Sequence, residues 1–267
     1  MGFLLGTDIS ERLEGQTPAD NDTIFGSGGD DTIVGGSGND LINGNQGNDV
    51  IFGEFNPGGD ASGNDTVRGG RGDDTVYGGG GDSFIYGDKG NDFLTGQFGN
   101  DVLFGGSEND DLEGNRGNDS LDGGEGNDTL YGFRFDDVPI AGRNEIDTLT
   151  GGTGADRFIL GFNRLGPNVA YQDGKDGSGT DNYALITDFS LIEGDLIQVI
   201  GPRQSITSYV GYIRLAPSPT GLPPGTAIYT STFNDDDELI GIVQGTPLGE
   251  DTFFAQDPPP AGFVYVF

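Results

Sequence analysis

The sequence predicts an all-β chain: a solenoid of nine-residue repeats followed by a small all-β cap. Three observations predict it. A nine-residue period runs through the first half of the chain. One apolar residue recurs at the same place in every copy. Glycine is 52 of 267 residues, and it falls at the repeat's turn rather than at every third residue, which excludes a collagen-like chain.

The period is plain in Gly35-Gly36-Ser37-Gly38-Asn39-Asp40-Leu41-Ile42-Asn43, followed directly by Gly44-Asn45-Gln46-Gly47-Asn48-Asp49-Val50-Ile51-Phe52. Further copies begin at Gly69, Gly87, Gly96, Gly114 and Gly123, and a last one at Gly151. The first six positions are rich in Gly, Asn and Asp, the chemistry of a turn with positive φ. The last three read as a short strand with its middle side chain pointing inward. That inward set is Ile24, Ile33, Ile42, Ile51, Val67, Val76, Ile85, Leu94, Leu103, Leu112, Leu121, Leu130, Leu149 and Phe158. A flexible Gly/Asp linker would not keep one such residue in each nonamer.

Composition narrows the function classes. The formal charge is −32, from 44 acidic and 12 basic residues, and only 33% of residues are hydrophobic. Such a chain stays expanded unless cations hold it together. Nucleic acid and anionic membrane surfaces are poor partners for it, because phosphate contacts need Lys and Arg. Cys and His are both absent, which removes thiolate nucleophiles, disulfides, zinc-finger ligands and imidazole bases together. There is accordingly no H-E-x-x-H helix and no Ser-His-Asp triad, and no G-x-S-x-G elbow is found. The expectation is a non-enzyme, with an activity housed in 183–267 as the lesser alternative. The start, Met1 to Asp8, lacks the basic and long apolar regions of a Sec-type leader. No apolar run approaches the roughly 18 residues of a membrane span, so no membrane insertion is expected.

The repeats over 17–159 resemble the RTX (repeat-in-toxin) family of hemolysin-type calcium-binding proteins, with its nonapeptide G-G-x-G-x-D-x-U-x. The resemblance implies a parallel β-roll in which two nonamers make one coil and each turn stacks on the turn two repeats later. It also implies Ca²⁺ between stacked turns. Adjacent parallel strands lie about 4.8 Å apart, so stacked carboxylates would repel strongly unless a cation bridged them. Ca²⁺ takes six to eight oxygen ligands at about 2.3–2.6 Å, and Asp carboxylates with glycine carbonyls can supply them.

By parity of repeat, the aspartates fall into two columns. The first holds Asp31, Asp49, Asp74, Asp92, Asp110, Asp128 and Asp156. The second holds Asp22, Asp40, Asp65, Asp101, Asp119 and Asp147, with Ser83 in the fourth place and Asp82 beside it. The resemblance implies ligation by these carboxylates, with Asp22 and Asp82 as weaker members. It also implies backbone carbonyl ligands at Gly36, Gly38, Gly47, Gly70, Gly72, Gly79 and Gly81. The faults gather in the second column: the glycine-poor turn 17–21, insertions over 54–62 and 133–146, and Ser83. The first column has only Glu108 in place of a glycine. An intact ion ladder on one edge and a weaker one on the other is therefore expected. Up to about twelve ions would bring roughly +24 against the net charge. Their binding energy would be folding energy, at affinities of about 10⁻⁴–10⁻³ M typical of extracellular modules.

The remaining segments read as an N-terminal arm over 1–16, a loop over 160–182 and an all-β cap over 183–267. Tyr183 to Phe189 and Asp195 to Ile200 read as strands across a Gly194 turn. This I-x-D-F then G-D-x-I pattern resembles the segment closing the roll in RTX proteins. Asp188 and Asp195 are candidates for one more ion, with turn and strand-end acids as the alternative. Further strands are expected over 209–215, 226–232, 238–244 and 262–267. They form an end cover of the kind an apolar solenoid core needs. The family resemblance implies type I secretion through an uncleaved C-terminal signal, hence a secreted or cell-surface protein. The expected partner is calcium, with the chain a monomer. A polysaccharide or cell-surface component is the alternative partner, suggested by Phe84, Tyr86, Val102 and Phe104 on the outer face of two adjacent strands. The competing expectation is that a neighbouring segment covers that patch.

Overall fold

The computed structural model describes residues 2–15, 21–54, 63–132, 145–161, 183–200, 213–218, 220, 222–231, 237–244 and 263–266. The insertions over 55–62 and 133–144, most of the expected loop, and the segment 201–212 lie outside the described residues.

Every described element is a strand. In chain order these are β1 (Phe3–Leu5), β2 (Arg12–Glu14), β3 (Thr23–Gly28), β4 (Thr32–Val34), β5 (Leu41–Gln46), β6 (Val50–Phe52), β7 (Thr66–Arg71) and β8 (Thr75–Gly79). Then come β9 (Phe84–Lys89), β10 (Phe93–Phe98), β11 (Val102–Ser107), β12 (Asp111–Arg116), β13 (Ser120–Glu125), β14 (Thr129–Tyr131), β15 (Ile146–Thr153) and β16 (Arg157–Gly161). The last six are β17 (Tyr183–Ile186), β18 (Leu196–Ile200), β19 (Ile213–Pro217), β20 (Thr226–Ser231), β21 (Asp237–Val243) and β22 (Phe263–Val266).

Odd and even strands part company. From β1 to β17 the odd strands pair in parallel in one sheet, and from β2 to β18 the even strands do so in the other. Each strand therefore pairs with the strand two repeats away, and two nonamers make one coil. Register follows the repeat: Ile24 faces Ile42, and Ile42 faces Val67. All fourteen inward residues are 0% exposed and pack as one continuous core between the sheets. Burial of each such side chain stabilises by about 1.5–3 kcal/mol.

The roll is longer than the repeat pattern at both ends. The expected N-terminal arm is corrected: β1 pairs with β3 and β2 with β4. Residues 6–14 form a degenerate nonamer, with Glu11 in the aspartate place and Leu13 in the inward place. Leu13 is 7% exposed and packs on the core. An arm would have left the apolar top of the first coil bare; pairing covers it. At the other end, β17 pairs in parallel with β15, and β18 with β16. The segment expected to open the cap thus forms a further coil.

The switch to antiparallel pairing ends the solenoid. β21 adds to β17 in parallel, then β20 and β19 follow antiparallel, while β22 adds antiparallel to β18. A second small core of Tyr183, Ala227 and Ile242 lies there. These strands match the expected cap segments within a few residues. Among the described residues no helix is long and apolar enough to cross a membrane.

Candidate functional site

Each coil passes through two turns, one on each edge of the roll. On both edges the aspartate side chains face inward along the stack. Fourteen of them, from Asp22 to Asp156 in the two columns together with Asp195, are 3% exposed or less. They are strung by one repeated bond: each aspartate Oδ1 accepts the backbone N–H of the aspartate one turn earlier. On the first edge Asp31, Asp49, Asp74, Asp92 and Asp110 donate in turn to Asp49, Asp74, Asp92, Asp110 and Asp128, at 2.7–2.8 Å. Asp128 donates to Asp156 at 2.9 Å, and Asp156 to Asp195 at 3.0 Å. Asp195 thus takes the next place of the first column. Glu11 takes the place before Asp31, to which its N–H donates at 3.0 Å.

On the second edge Asp22 donates to Asp40, Asp40 to Asp65, Asp101 to Asp119 and Asp119 to Asp147. Ser83 keeps the string but not the charge. Its Oγ accepts from Asp65 N at 3.2 Å, and its N–H donates to Asp101 Oδ1 at 2.8 Å. After Asp147 the register partner is Ala184, so this column ends there.

A second, outer string lies beside the first, at the position before each aspartate. Here the side-chain oxygen of one turn accepts from the next turn: Asn48 N–H donates to Asp30, Asp73 to Asn48, Asn91 to Asp73 and Asn109 to Asn91. Asn64, Asp82, Asn100 and Asn118 do the same on the second edge. Asp82 belongs to this outer string and accepts both the N–H and the Nδ2 of Asn100. Sequence reasoning missed this string, although Asn or Asp before the aspartate in most repeats was its visible signal.

The inner carboxylates are only half satisfied. Oδ2 of Asp31, Asp49, Asp74, Asp92, Asp110 and Asp128 on the first edge is buried without a hydrogen-bond partner. So is Oδ2 of Asp40, Asp65, Asp101 and Asp119 on the second. Leaving a buried acceptor unpaired costs about 1–3 kcal/mol, and ten such oxygens in two rows are not ordinary packing.

Glycines hold the rows tight. A β-carbon on Gly26 would stand 2.6 Å from the Gly44 carbonyl oxygen, and one on Gly123 would stand 2.6 Å from that of Gly151. In both cases it would also collide with the orphaned Oδ2 of its own repeat. The carbonyl oxygens of Gly38 and Gly47 crowd the glycine of the following turn, Gly63 and Gly72 respectively. They therefore point into the gap between turns. The backbone at Gly36, Gly38, Gly47, Gly70, Gly72, Gly79 and Gly81 is left-handed.

The electrostatics carry the same signature. Burial, aided by neighbouring carboxylates, pushes Asp74 and Asp110 up to about 8. Burial raises Asp65, Asp101 and Asp156 to about 7, and Asp40, Asp49, Asp92 and Asp128 to about 6. Backbone N–H donors offset only part of it. Asp119, buried and beside Asp147, is raised well above the usual carboxylate range.

The donor set is all oxygen: carboxylate, carbonyl and hydroxyl, in a chain without Cys or His. Among the described residues no three acidic side chains converge on one point. Each gap offers one or two carboxylates, and carbonyls would complete the shell. This fits a hard divalent cation. Both oxygens of Asp188 are engaged, accepting from Gly151 N at 2.9 Å and Gly152 N at 2.7 Å. That is the pattern of a turn acid. Oδ2 of Asp195 accepts from Ser190 N, so its free valence is smaller than that of its column.

The outer sheet face is also defined. Tyr86 stacks on Phe104 with centroids 5.1 Å apart, and the Arg68 guanidinium lies 4.5 Å over Tyr86. Phe84 is 48% and Phe104 36% exposed. Of the two segments that could cover it, the N-terminal arm and the cap, the first lies along the sheet edges, β1 on β3 and β2 on β4.

Residues 19–54, 61–94, 79–112, 104–138 and 140–163 match the sequence model of the RTX calcium-binding nonapeptide repeat, a unit of four copies. A search of curated proteins finds no match to the chain.

Proposed function

The chain belongs to the family of RTX calcium-binding nonapeptide-repeat proteins, and from that premise we propose that it is a secreted, non-catalytic protein whose roll closes only as Ca²⁺ fills both turn edges. The observation that supports this reading is the double row of buried Oδ2 atoms without partners. Asp31, Asp40, Asp49, Asp65, Asp74, Asp92, Asp101, Asp110, Asp119 and Asp128 supply those oxygens, and carbonyls such as those of Gly38 and Gly47 supply others. Asp195 adds a gap to the first edge beyond the about twelve ions expected from the repeats. An ion at a hundred times its Kd stabilises the fold by about 2.7 kcal/mol. Over many gaps this far exceeds the usual net stability of a domain. The charge left by 44 acidic residues makes the unloaded chain expand. A calcium-rich extracellular space and a cell interior kept poor in free calcium would then hold the protein in two different states.

The test is circular dichroism of the full chain with Ca²⁺ and after chelation. We expect a cooperative gain of β-signal with calcium and its loss with chelator. Unchanged β-structure in a metal-free sample would refute the proposal.

A second reading, recognition of a polysaccharide or surface partner by the sheet face, is favoured by the exposed Phe84 and Phe104 beside the Arg68–Tyr86–Phe104 stack. Glycan binding in Ca²⁺ that disappears on Phe104→Ala, with the β-signal retained, would support it. Binding indifferent to that change would end it.

A further inference from the structure

Glu54 opens the insertion that interrupts the second edge, and it behaves unlike a loop residue. It is 3% exposed. Its Oε2 accepts the N–H of Gly80 at 2.8 Å. Its Oε1 is buried and makes no hydrogen bond of ordinary geometry, although the Gly63 amide lies near enough to the carboxylate to favour its charged form. Gly80 belongs to the next turn, whose aspartate place is taken by Ser83. The glutamate therefore reaches across the one gap whose far turn has lost its carboxylate.

The rest of that gap is built like the others. Asp65 Oδ2 is an orphan there too. A β-carbon on Gly53 would collide with both that oxygen and the Gly78 carbonyl oxygen. One on Gly79 would stand 3.1 Å from Glu54 Cβ and 3.1 Å from its Oε2. A side chain at 79 would crowd the glutamate and would also have to adopt the left-handed backbone that Gly79 takes at φ 105°. Ser83 Oγ accepts from Asp65 N, which preserves the string of turns but brings no charge.

We propose that Glu54 is a calcium ligand in the gap between the Asp65 and Ser83 turns, supplying the carboxylate that Ser83 lacks. The proposal rests on the calcium reading above. With Asp65 it returns two carboxylates to this gap, as in the regular ones. A purely structural role explains Oε2 but leaves Oε1 buried without a hydrogen bond of ordinary geometry, at a cost a cation would remove. The gap after Ser83, toward Asp101, receives no such repair and is the weakest of the second edge.

The experiment compares calcium stoichiometry and the calcium midpoint of folding for the full chain, Glu54→Gln and Glu14→Gln. Glu14 is an exposed glutamate, so its variant controls for loss of one charge. The expected result for Glu54→Gln is one ion fewer per chain and a midpoint shifted to higher calcium, with Glu14→Gln unchanged. Both changes are then made in a Ser83→Asp background, where a carboxylate returns to the gap. There Glu54→Gln is expected to keep the full ion count, and this arm is readable even if Glu54→Gln alone fails to fold. An unchanged ion count in Glu54→Gln, or an equal penalty with and without Ser83→Asp, would overturn the proposal and leave Glu54 as a cap on Gly80. A full chain that binds no calcium would instead overturn the family-based reading itself.

Discussion

The two edges of the roll are made from the same nonamer, yet they differ in how much disturbance they carry. On the first edge the strands leading into the turns run on through the glycines, as in β5, β7, β9, β11 and β13, each of six residues. On the second edge β8, β10 and β12 run on for five or six residues, but β4, β6 and β14 stop after three. These are the strands at or beside the turns that carry insertions. Despite this the string of hydrogen bonds is unbroken on both sides, with Ser83 standing in for an aspartate on the second. Partners separated by 18 residues, as in Asp31 and Asp49, meet at 2.8 Å, and so do Asp40 and Asp65, 25 apart. Asp119 and Asp147 are 28 apart and meet at 3.0 Å. The bond is set by stacking of the coils, not by the length of chain between them. Closing a somewhat longer loop adds only a fraction of a kcal/mol in chain entropy.

The comparison breaks most readily with pH. On the first edge the aspartates from Asp31 to Asp156, and on the second Asp40, Asp65, Asp101 and Asp119, have carboxyls raised above their unfolded values, chiefly by burial. Such groups favour the fold while protonated, fully below about pH 4, and lose that contribution as pH rises through about 6 to 8. A metal-free chain is therefore expected to be least folded near pH 8 and to gain β-signal on acidification. As pH falls from alkaline values, Asp74 and Asp110 on the first edge, at about 8, lose their charge before Asp40, Asp49, Asp92 and Asp128, at about 6. Circular dichroism of a dialysed sample from pH 8 to pH 4 checks this. A β-signal that falls on acidification would contradict the assignment of burial as the dominant cause.

A smaller effect should separate the edges directly. Asp92→Ala removes a carboxylate between two intact turns and strands the Asp74 N–H, at a cost of about 1–3 kcal/mol plus the ion it helps hold. Asp101→Ala strands the Ser83 N–H in a gap already short of charge, so less ion binding remains to be lost. A larger shift of the calcium midpoint for Asp92→Ala is expected in a titration of both variants, and equal shifts would mean that the edges are equivalent. The smallest effect concerns glycine. Gly123→Ala on the first edge forces a β-carbon against Asp128 Oδ2 and the Gly151 carbonyl and is expected to loosen that one stack locally. Gly36→Ala on the second meets no described atom within 4 Å. It should cost only about 1–2 kcal/mol for its left-handed backbone. Thermal unfolding in saturating calcium orders the two, and a reversed order would contradict the close approach of turns at the first glycine of the repeat.

The fold was legible where the period was regular. Residues such as Ile42 and Leu121 lie at one place in each nonamer, and that single phase determines sheet, register and core together. The first coil escaped notice because Gly6 to Glu14 keeps only a glycine, an acid and Leu13 of the pattern. Its remaining turn glycines are replaced by Thr7 and Ile9. Asp195 stood out only weakly because 39 residues separate it from Asp156. Glu54 was unreadable as anything but the edge of an insertion. Its meaning depends on Gly80 and Ser83, which lie opposite it only after the chain has coiled. Asp188 shows the reverse: a plausible ligand by spacing whose two oxygens are taken by amides.

The indifference of the aspartate string to the chain between its members has a wider consequence. Each coil is fastened to its neighbours by contacts that never pass through the loop joining one turn to the next. Material can therefore be spliced in at the second edge, between Glu54 and Gly63 or after Gly132, without altering the opposite side. The architecture acts as a mast with a smooth flank and a flank of attachment points, on which new surface can be hung while the mast itself stays the same.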